Sequence, residues 1–292
     1  MPINYNKKQD SYTYDKSLVD FFINVGFVVT RKCNLKCIHC CETPGDDESS
    51  LSSVKEILDK LFEKGLRKIC ITGGEPLMRK DIVDILKYAH KKGLIVTFST
   101  NGTMLDRNKL SQIKPFISNI RFSIYGGEGN HDRVTSANGN YKKVIECLKL
   151  TKELKITTGL IMTVMKNNLN DLRSVINICN TYNVGKLYLF SLMPTARGEE
   201  IYSTEYVSPE NISKEVSKNL SESNKCVVKV IDWRIEGQCI LAYENGDIVA
   251  QPSYSDVGNK KIVGNLFKEV AGVIWEKYPF KKAHIDYYLD YH

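Results

Sequence analysis

An α/β fold built on a parallel sheet is the fold class that this sequence predicts. Between Asn24 and Met193, a short apolar run rich in β-branched or aromatic residues, a Gly or Asn turn and an amphipathic stretch of helical period follow one another six times. Strands that alternate with helices are joined by right-handed crossovers and therefore run parallel. We expect the core to be a parallel α/β layer or an incomplete barrel of six βα units.

The individual elements follow from this pattern. The predicted strands are Gly26 to Thr30, Lys68 to Thr72, Ile95 to Thr100, Ile120 to Tyr125, Thr158 to Val164 and Lys186 to Ser191. The predicted helices, with apolar residues three or four positions apart, are Val54 to Lys64, Asp81 to Lys92, Tyr141 to Leu154 and Asp171 to Tyr182. Ser52 or Ser53 is the expected cap of the first helix.

The pattern changes near Arg197. The elements predicted after it are a polar helix from Pro209 to Ser221, strands Val227 to Asp232, Cys239 to Tyr243 and Asp247 to Gln251, and a helix containing Trp275. Asn245-Gly246 is typical of a tight turn between two antiparallel strands. We therefore expect an N-terminal segment (1–21), a barrel of βα units (22–197) and a C-terminal extension with a β-hairpin and a helix (198–292).

Composition and charge exclude several classes of protein. A chain of 292 residues with 42% hydrophobic content can bury a full core. Its net charge of +7 comes from basic residues scattered among acidic ones, so nucleic-acid binding is not expected. No apolar run reaches the roughly 18 residues that a membrane-spanning helix needs. Because Met1 to Asp10 also lacks a signal-peptide pattern, we expect a cytoplasmic protein without a membrane partner.

Four of the nine cysteines lie between Cys33 and Cys41, which is not typical of a secreted disulfide framework. Cys33, Cys37 and Cys40 stand at intervals of four and three residues, so their thiolates can converge on one centre. An iron–sulfur cubane held by three protein thiolates keeps one iron open. The alternative is a zinc knuckle completed by His39 or Cys41, although no second pair of closely spaced ligands follows it.

Polar turns follow the next three predicted strands, at the edge of a parallel sheet where ligands bind. Gly73 and Gly74 permit the backbone to approach a ligand closely, and the Glu75 carboxylate can pair with an ammonium group. The segment Ser99 to Gly102 and the residue Ser123 offer hydroxyl and amide groups. An ordinary turn with satisfied backbone groups is the alternative interpretation at each of these positions.

The run Cys33-x-x-x-Cys37-x-x-Cys40 after the first of several βα units resembles the signature of the radical S-adenosylmethionine (SAM) superfamily, and the resemblance extends from residue 22 to 275. It implies a partial (βα)6 TIM-like barrel and an enzyme with one 4Fe-4S cluster on these three cysteines. SAM then binds the open iron and is reductively cleaved to a 5'-deoxyadenosyl radical, which abstracts a substrate hydrogen. The resemblance also implies an electron donor of the flavodoxin or ferredoxin type.

The resemblance further assigns the contacts to SAM. Gly73-Gly74-Glu75 resembles the motif that binds the amino group of the cofactor. Ser99 and Asn101 resemble a second binding segment, and Ser123 resembles the end of the next strand, where ribose or carboxylate is bound. His39 fills the position before the third cysteine, which is usually aromatic in this family.

Two positions near these motifs depart from the family pattern. Thr135 stands where relatives often have an Arg for the SAM carboxylate, which leaves Arg133 as a substitute candidate. Cys41 stands where close relatives often have an aromatic residue, and we interpret it as a packed side chain and not as a ligand.

The substrate class also follows from resemblance. Ser123 to Gly126 with the following His131 to Thr135, and Met193 to Gly198 at the end of the barrel, are similar to the branch that modifies ribosomally made peptides. A peptide is therefore the expected substrate. The alternatives are a small molecule or nucleoside in natural-product or cofactor biosynthesis, and a scaffold without enzymatic activity that binds iron or zinc.

The segment Gly246 to Trp275 resembles a SPASM or twitch extension, whose cysteines hold auxiliary clusters. Gln251 stands where the pattern has a cysteine, and the remaining thiols of the region are Cys226 and Cys239. Because two thiols are too few to hold an auxiliary cluster, we expect a degenerate extension and a single cluster in the chain. Redox-neutral chemistry such as epimerisation is then favoured. Cys239, or Cys226, is a candidate hydrogen-atom donor, with plain apolar packing as the alternative.

Overall fold

The computed structural model describes residues 4–6, 11–13, 21–221, 224–235, 239–250 and 261–290. Its strands are β1 Asn4–Asn6, β2 Ser11–Thr13, β3 Asn24–Val28, β4 Lys68–Thr72, β5 Ile95–Thr100, β6 Asn119–Ser123, β7 Thr158–Val164, β8 Lys186–Ser191, β9 Val227–Ile231, β10 Ile240–Tyr243, β11 Asp247–Ala250 and β12 Lys261–Asn265. Its α-helices are α1 Leu51–Lys64, α2 Ile82–Lys91, α3 Arg107–Ile113, α4 Glu128–Thr135, α5 Asn140–Glu153, α6 Leu172–Tyr182, α7 Arg197–Glu205, α8 Pro209–Asn219, α9 Ala271–Lys277 and α10 Lys281–Asp290.

Ten of these strands form one sheet in the order β12-β11-β10-β3-β4-β5-β6-β7-β8-β9. Every neighbouring pair from β10 to β9 is parallel, and β11 and β12 are added antiparallel. The predicted α/β class with six consecutive parallel strands is therefore confirmed. β9 and β12 are the edge strands of this sheet. Among the described strands they do not pair with each other, so the sheet does not close into a full barrel.

The residues after 197 extend this same sheet at both ends. β9 pairs with β8, and β10 pairs with β3 through the register of Leu241 with Gly26. The predicted hairpin at Asn245-Gly246 joins β10 to β11, as expected. The division into segments 1–21, 22–197 and 198–292 stays a prediction, and position 251 lies outside the described residues.

Local signals explain most element boundaries, with one correction. The expected cap of the first helix was wrong, because Ser50 precedes α1 and its hydroxyl accepts a hydrogen bond from the backbone N–H of Ser53 at 3.2 Å. Helix α4, which the sequence did not predict, has few apolar positions but lies directly after the β6 turn. Among the helices of the described residues, none is long and apolar enough to span a membrane.

The strand residues alternate between two faces of the sheet. One face packs under the helices, where Phe27, Ile71, Phe98, Phe122 and Leu189 are fully buried in a single hydrophobic core. The opposite face, which we call the inner face, carries partly exposed and largely polar side chains such as Cys70, Ser99, Arg121, Ser123 and Lys229. A ligand that enters the open barrel therefore meets polar groups.

Candidate functional site

The loop that carries the predicted cluster cysteines follows β3 and is fixed to two neighbouring segments. The backbone N–H of Ile38 donates to the carbonyl of Val134 in α4 at 3.0 Å. On the other side, Arg197 Nε donates to the Cys37 carbonyl at 2.8 Å, and the Gly198 N–H donates to the Cys40 carbonyl at 3.4 Å. The loop is thus held between α4 and the start of α7.

The thiols of Cys33, Cys37 and Cys40 are free and only partly buried. Burial raises the pKa of Cys37 to about 12, the nearby charges of Cys40 and Cys33 add to the rise, and Arg197 opposes it. The pKa of Cys33 is also raised, mainly by burial and also by the charge of Cys40. The three thiols therefore lie near enough to influence one another.

These thiols are not arranged for a single metal ion. Within the described residues no three His, Cys, Asp or Glu side chains gather closely enough to hold one ion, so a mononuclear zinc knuckle gains no support. A cubane spreads its ligands over separate corners, and three thiolates on one loop are the donor set that it takes. The thiols fit a cluster in number and chemistry, while the assignment of Cys33, Cys37 and Cys40 as its ligands stays a prediction.

Gly73 and Gly74 allow the second loop to pack directly on the cysteine loop. The Gly74 N–H donates to the Thr30 carbonyl at 2.8 Å, and the Glu75 N–H donates to the Lys32 carbonyl at 2.7 Å. A Cβ at Gly73 would lie 2.3 Å from the Thr30 oxygen, and one at Gly74 would lie 2.2 Å from the Lys32 oxygen. The glycines thus have a structural function that the sequence did not indicate, and their contact with a cofactor stays a prediction.

The Glu75 carboxylate is fully buried and joins the ends of β4 and β5. It accepts hydrogen bonds from the N–H of Leu77 at 3.0 Å, the Thr100 hydroxyl at 2.8 Å and the Asn101 N–H at 2.7 Å. Burial raises the pKa of Glu75 to about 7, although these hydrogen bonds act in the opposite direction. A cation at this carboxylate would offset the cost of burying its charge.

Asn101 connects the end of β5 to the cysteine loop. Its Nδ2 donates to Oδ1 of Asn34, the residue after Cys33, at 3.0 Å. Its Oδ1 accepts from the Thr103 N–H at 2.9 Å. Asn101 therefore lies next to the residue that follows Cys33, and its contact with a cofactor stays a prediction.

The other two predicted serines lie on the inner face. Ser99 Oγ is 3.3 Å from the thiol of Cys70 on β4. Ser123 lies at the end of β6, two residues before Tyr125. Both hydroxyls face the open interior, and their contacts with SAM remain to be tested.

His39 lies against the aromatic ring of Tyr125, with the two ring centroids 4.3 Å apart. Its Nδ1 atom is buried and has no hydrogen-bond partner within the described residues. Burial, with the positive charges of Arg197 and His131, lowers the pKa of His39 to about 3. Tyr125 is fixed in turn by His131, whose Nδ1 accepts a hydrogen bond from the Tyr125 N–H at 3.2 Å.

The cation beside the cysteines is Arg197, which sequence reasoning did not identify as a site residue. Thr135 is buried and donates its hydroxyl to the His131 carbonyl at 2.9 Å, and Arg133 is exposed and donates to Asn130 at 3.0 Å. Arg197 follows Ala196, whose φ of 47° is unfavourable for a residue with a side chain. The position of Arg197 in the segment Met193 to Gly198 was the signal that could have found it.

The two candidate hydrogen-atom donors lie in different environments. Cys226 is buried in the core under the helices, which also contains Cys179, so it does not face the interior of the barrel. Cys239 is partly buried, and its pKa is raised to about 12 by burial and by the nearby charges of Cys70 and Glu42. Cys239 therefore lies near the inner-face thiol Cys70, and its role stays a prediction.

A cavity of about 440 Å³ opens beside the cysteine loop. The residues that line it include Arg31, Cys41, Thr195, Ala196, Tyr243 and Glu244. Tyr243 donates its hydroxyl to Glu42 at 2.7 Å, which joins β10 to the end of the cysteine loop. A larger cavity of about 550 Å³ lies between α1 and residues 266–272 and is lined by none of the predicted site residues.

Comparison with proteins of known sequence places the chain in a family. The Radical SAM superfamily model matches residues 27–179. Fe-coproporphyrin III synthase of Methanosarcina barkeri is 30% identical over 178 residues, which cover 59% of this chain and 45% of that protein. PqqA peptide cyclase of Bradyrhizobium diazoefficiens is 30% identical over 156 residues, which cover 51% of this chain and 41% of the cyclase. The chain spans about half the length of the curated relatives it matches.

The fold is also similar to that of a solved structure. SuiB of Streptococcus suis, bound to S-adenosylmethionine, superposes with a TM-score of 0.74 at 13% identity, over 93% of this chain and 69% of SuiB. At this identity the likeness concerns the fold alone. Because the family model covers more than half of the 292 residues, the chain belongs to the radical SAM superfamily, a family of enzymes that use a 4Fe-4S cluster and SAM.

Proposed function

We propose that this chain is a radical SAM enzyme that modifies a ribosomally made peptide, with its cluster on Cys33, Cys37 and Cys40. The observation that carries the proposal is the placement of three free thiols on one loop, which is fixed to the carboxyl ends of parallel strands beside the buried Glu75. When bound, the cluster and SAM supply a 5'-deoxyadenosyl radical that removes a hydrogen atom from the substrate.

The surrounding residues have distinct functions in this proposal. Arg197 offsets the negative charge of the thiolates and fixes the loop through the Cys37 carbonyl. Glu75 receives the ammonium group of SAM, which keeps its buried carboxylate ionised. His39 and Tyr125 form an aromatic wall beside the third cysteine. Ser99, Asn101 and Ser123 supply polar contacts from the ends of β5 and β6.

A peptide substrate is supported by two comparisons. SuiB has also been solved with its precursor peptide SuiA, and that structure superposes with a TM-score of 0.73 at 13% identity. PqqA peptide cyclase is among the curated relatives. We extend the proposal to a twitch-like C-terminal extension without an auxiliary cluster, and to an electron donor of the flavodoxin or ferredoxin type.

Anaerobic reconstitution tests the proposal. The wild-type protein is expected to bind about four irons and four sulfides per chain and to form 5'-deoxyadenosine from SAM when dithionite is added. Cys37→Ala should lose both properties. Cys41→Ala is the matched control and should retain them, because Cys41 lies in the same loop but is not a proposed ligand. Zinc binding without 5'-deoxyadenosine formation would contradict the proposal.

A small-molecule substrate is the second candidate, and the similarity to Fe-coproporphyrin III synthase favours it. The two candidates are separated by finding whether a short peptide gene lies beside this gene. That peptide, incubated with the reduced enzyme and SAM, should change in mass or in the stereochemistry of one residue. If it stays unchanged in both while 5'-deoxyadenosine forms with a small molecule, the second candidate is correct.

A further inference from the structure

The cavity of about 440 Å³ beside the cysteine loop is enclosed by three segments that are far apart in sequence. Cys41 belongs to the end of the cysteine loop, Thr195 to the connection between β8 and α7, and Glu244 to the turn between β10 and β11. The Thr195 hydroxyl donates to the Cys41 carbonyl at 3.5 Å, which joins the first two segments. Because Cys41 follows the proposed ligand Cys40, a molecule in this cavity lies beside the proposed cluster loop.

Glu244 is the buried acid of this cavity. It is 3% exposed, and its backbone N–H donates to the Val28 carbonyl at 3.1 Å, which fixes it against the end of β3. Its Oε1 accepts a hydrogen bond from Arg31 Nε at 3.4 Å. Its Oε2 is also buried and accepts no hydrogen bond within the described residues. Since a buried carboxylate oxygen without a donor costs free energy, Glu244 is suited to accept a further donor.

Arg31 compensates the charge of Glu244 only in part. Their distance of 3.4 Å is longer than the about 2.7–2.9 Å of a charge-assisted hydrogen bond. The same guanidinium also lies 3.8 Å from the carboxylate of Asp47. Burial raises the pKa of Glu244, and the charge of Arg31 opposes this rise without cancelling it. A second cation beside Oε2 would therefore stabilise the ionised carboxylate.

The other lining residues favour an ammonium group on an aliphatic stem. Asp247 adds a second carboxylate, whose oxygens accept hydrogen bonds from the neutral side-chain amides of Asn245 and Asn265 at 2.9 and 2.7 Å. Val249 and Ile262 add apolar side chains. In the part of the chain that the structure describes, no three His, Cys, Asp or Glu side chains gather closely enough to hold a metal ion. An organic cation therefore fits this cavity better than a metal ion.

We propose that this cavity binds a primary ammonium group of the substrate, with Glu244 as its counter-ion. The three N–H donors of an ammonium group match Glu244 Oε2 and the hydroxyls of Thr43 and Thr195, which line the same cavity. Glu75 is the proposed partner of the SAM ammonium group, so Glu244 serves the substrate. This inference rests on the proposed function, because it takes the substrate to lie beside the cluster loop. The substrate is then a peptide with a lysine side chain or a free N-terminus near the modified residue.

Two amines and one neutral analogue are the probes for this cavity. Nα-acetyl-lysinamide carries only the side-chain ammonium group, norleucinamide carries only the α-ammonium group, and Nα,Nε-diacetyl-lysinamide carries neither. Saturation-transfer NMR titrations with the reconstituted enzyme and SAM should show that at least one amine binds and that the diacetyl compound does not. The amine that binds more tightly identifies the source of the ammonium group.

Variants of the cavity test the role of its charge. Glu244→Gln keeps the shape but loses the charge, so it should weaken binding of that amine by about tenfold or more, whereas Glu244→Asp should bind it more tightly than Glu244→Gln. Ile262→Lys adds a competing cation to the lining, and because Ile262 is 59% exposed, this variant should fold and still weaken binding. Glu63→Gln, an exposed position of α1 in the larger cavity, is the control and should leave binding unchanged. Circular dichroism confirms that each variant folds, and Ile262→Lys decides alone if Glu244→Gln does not.

The outcomes separate this inference from the proposed function. If the wild-type enzyme forms 5'-deoxyadenosine but the folded variants bind the amine with its affinity, the ammonium site is wrong and the proposed function stands. Binding of neither amine, or equal binding of the diacetyl compound, also contradicts the ammonium site. If an amine binds and the variants weaken it, but no 5'-deoxyadenosine is formed under reducing conditions, the ammonium site stands and the proposed function is wrong.

Discussion

Arg197 Nε donates a hydrogen bond to the carbonyl oxygen of Cys37 at 2.8 Å. The two residues are 160 positions apart in the chain, so this bond joins the cysteine loop to the start of α7. The same guanidinium opposes the effect of burial on the pKa of Cys33 and Cys37. One side chain therefore acts on both the shape and the charge of the loop.

Replacement of Arg197 should alter the cluster. In Arg197→Gln the positive charge is lost, so the reduced and more negative state is less stabilised, and we expect a lower reduction potential and a lower iron content. Arg197→Lys keeps the charge and should lie closer to wild type in potential. Redox titration followed by electron paramagnetic resonance measures the potential, and an iron assay measures retention.

Arg173→Gln is the control for this experiment, because Arg173 is an exposed residue of α6. It removes one positive charge without touching the cysteine loop. A potential and an iron content in Arg197→Gln equal to those of the control would show that Arg197 has no effect on the cluster.

Gly74→Ala should destabilise the protein. The new Cβ would meet the Lys32 carbonyl oxygen at 2.2 Å and its carbon at 2.7 Å, and backbone atoms cannot move aside as a side chain can. We expect a loss of about 1–3 kcal/mol in the free energy of unfolding, measured by urea denaturation of the apoprotein. Gly129→Ala in α4 is the control, since nothing lies within 4 Å of its Cβ position.

The free energy of unfolding of the apoprotein should fall as the pH rises, because Glu75 loses its proton. Its pKa is raised to about 7 by burial, against 4.5 for the ordinary group, so the folded state holds a proton that the unfolded state releases. The contribution of Glu75 to the free energy of unfolding is greatest below pH 4.5. It is lost as the pH rises towards 7, and the total change is about 3 kcal/mol. Glu75→Gln should remove this slope in urea denaturation curves measured at several pH values. An unchanged slope would contradict the assignment.

His131 should give the opposite dependence. Burial lowers its pKa to about 4 from 6.5, so the folded state resists protonation that the unfolded state accepts. This contribution to stability is present above pH 6.5 and is lost as the pH falls towards 4. His131→Asn should flatten the acid side of the stability curve, and differential scanning calorimetry of the apoprotein from pH 4 to 7 measures it. A curve with the wild-type slope would show that another group is responsible.

The six βα units were predictable because the signals that define them are local. Phe27, Ile71 and Phe98 stand in short apolar runs that alternate with amphipathic helices, and this period fixes parallel pairing. The positions of β9 and β10 at opposite ends of the sheet were not predictable. Pairing with β8 or with β3 depends on contacts between segments far apart in sequence.

The candidate site was predicted in part for the same reason. Cys33, Cys37 and Cys40 are close in sequence, and their spacing is itself the signal. The contacts of Gly74 with Lys32 and of Arg197 with Cys37 involve distant segments, so neither could be read from residue type or spacing. Gly74 was predicted to let the backbone approach a ligand closely, and that contact stays a prediction; in the structure the Lys32 backbone is what lies against Gly74.

The hydrogen bonds from Gly74 to Thr30 and from Glu75 to Lys32 are formed by peptide groups alone and do not depend on metal. If Cys33, Cys37 and Cys40 hold the proposed cluster, the backbone of two neighbouring loops fixes part of the binding loop without any contribution from side chains.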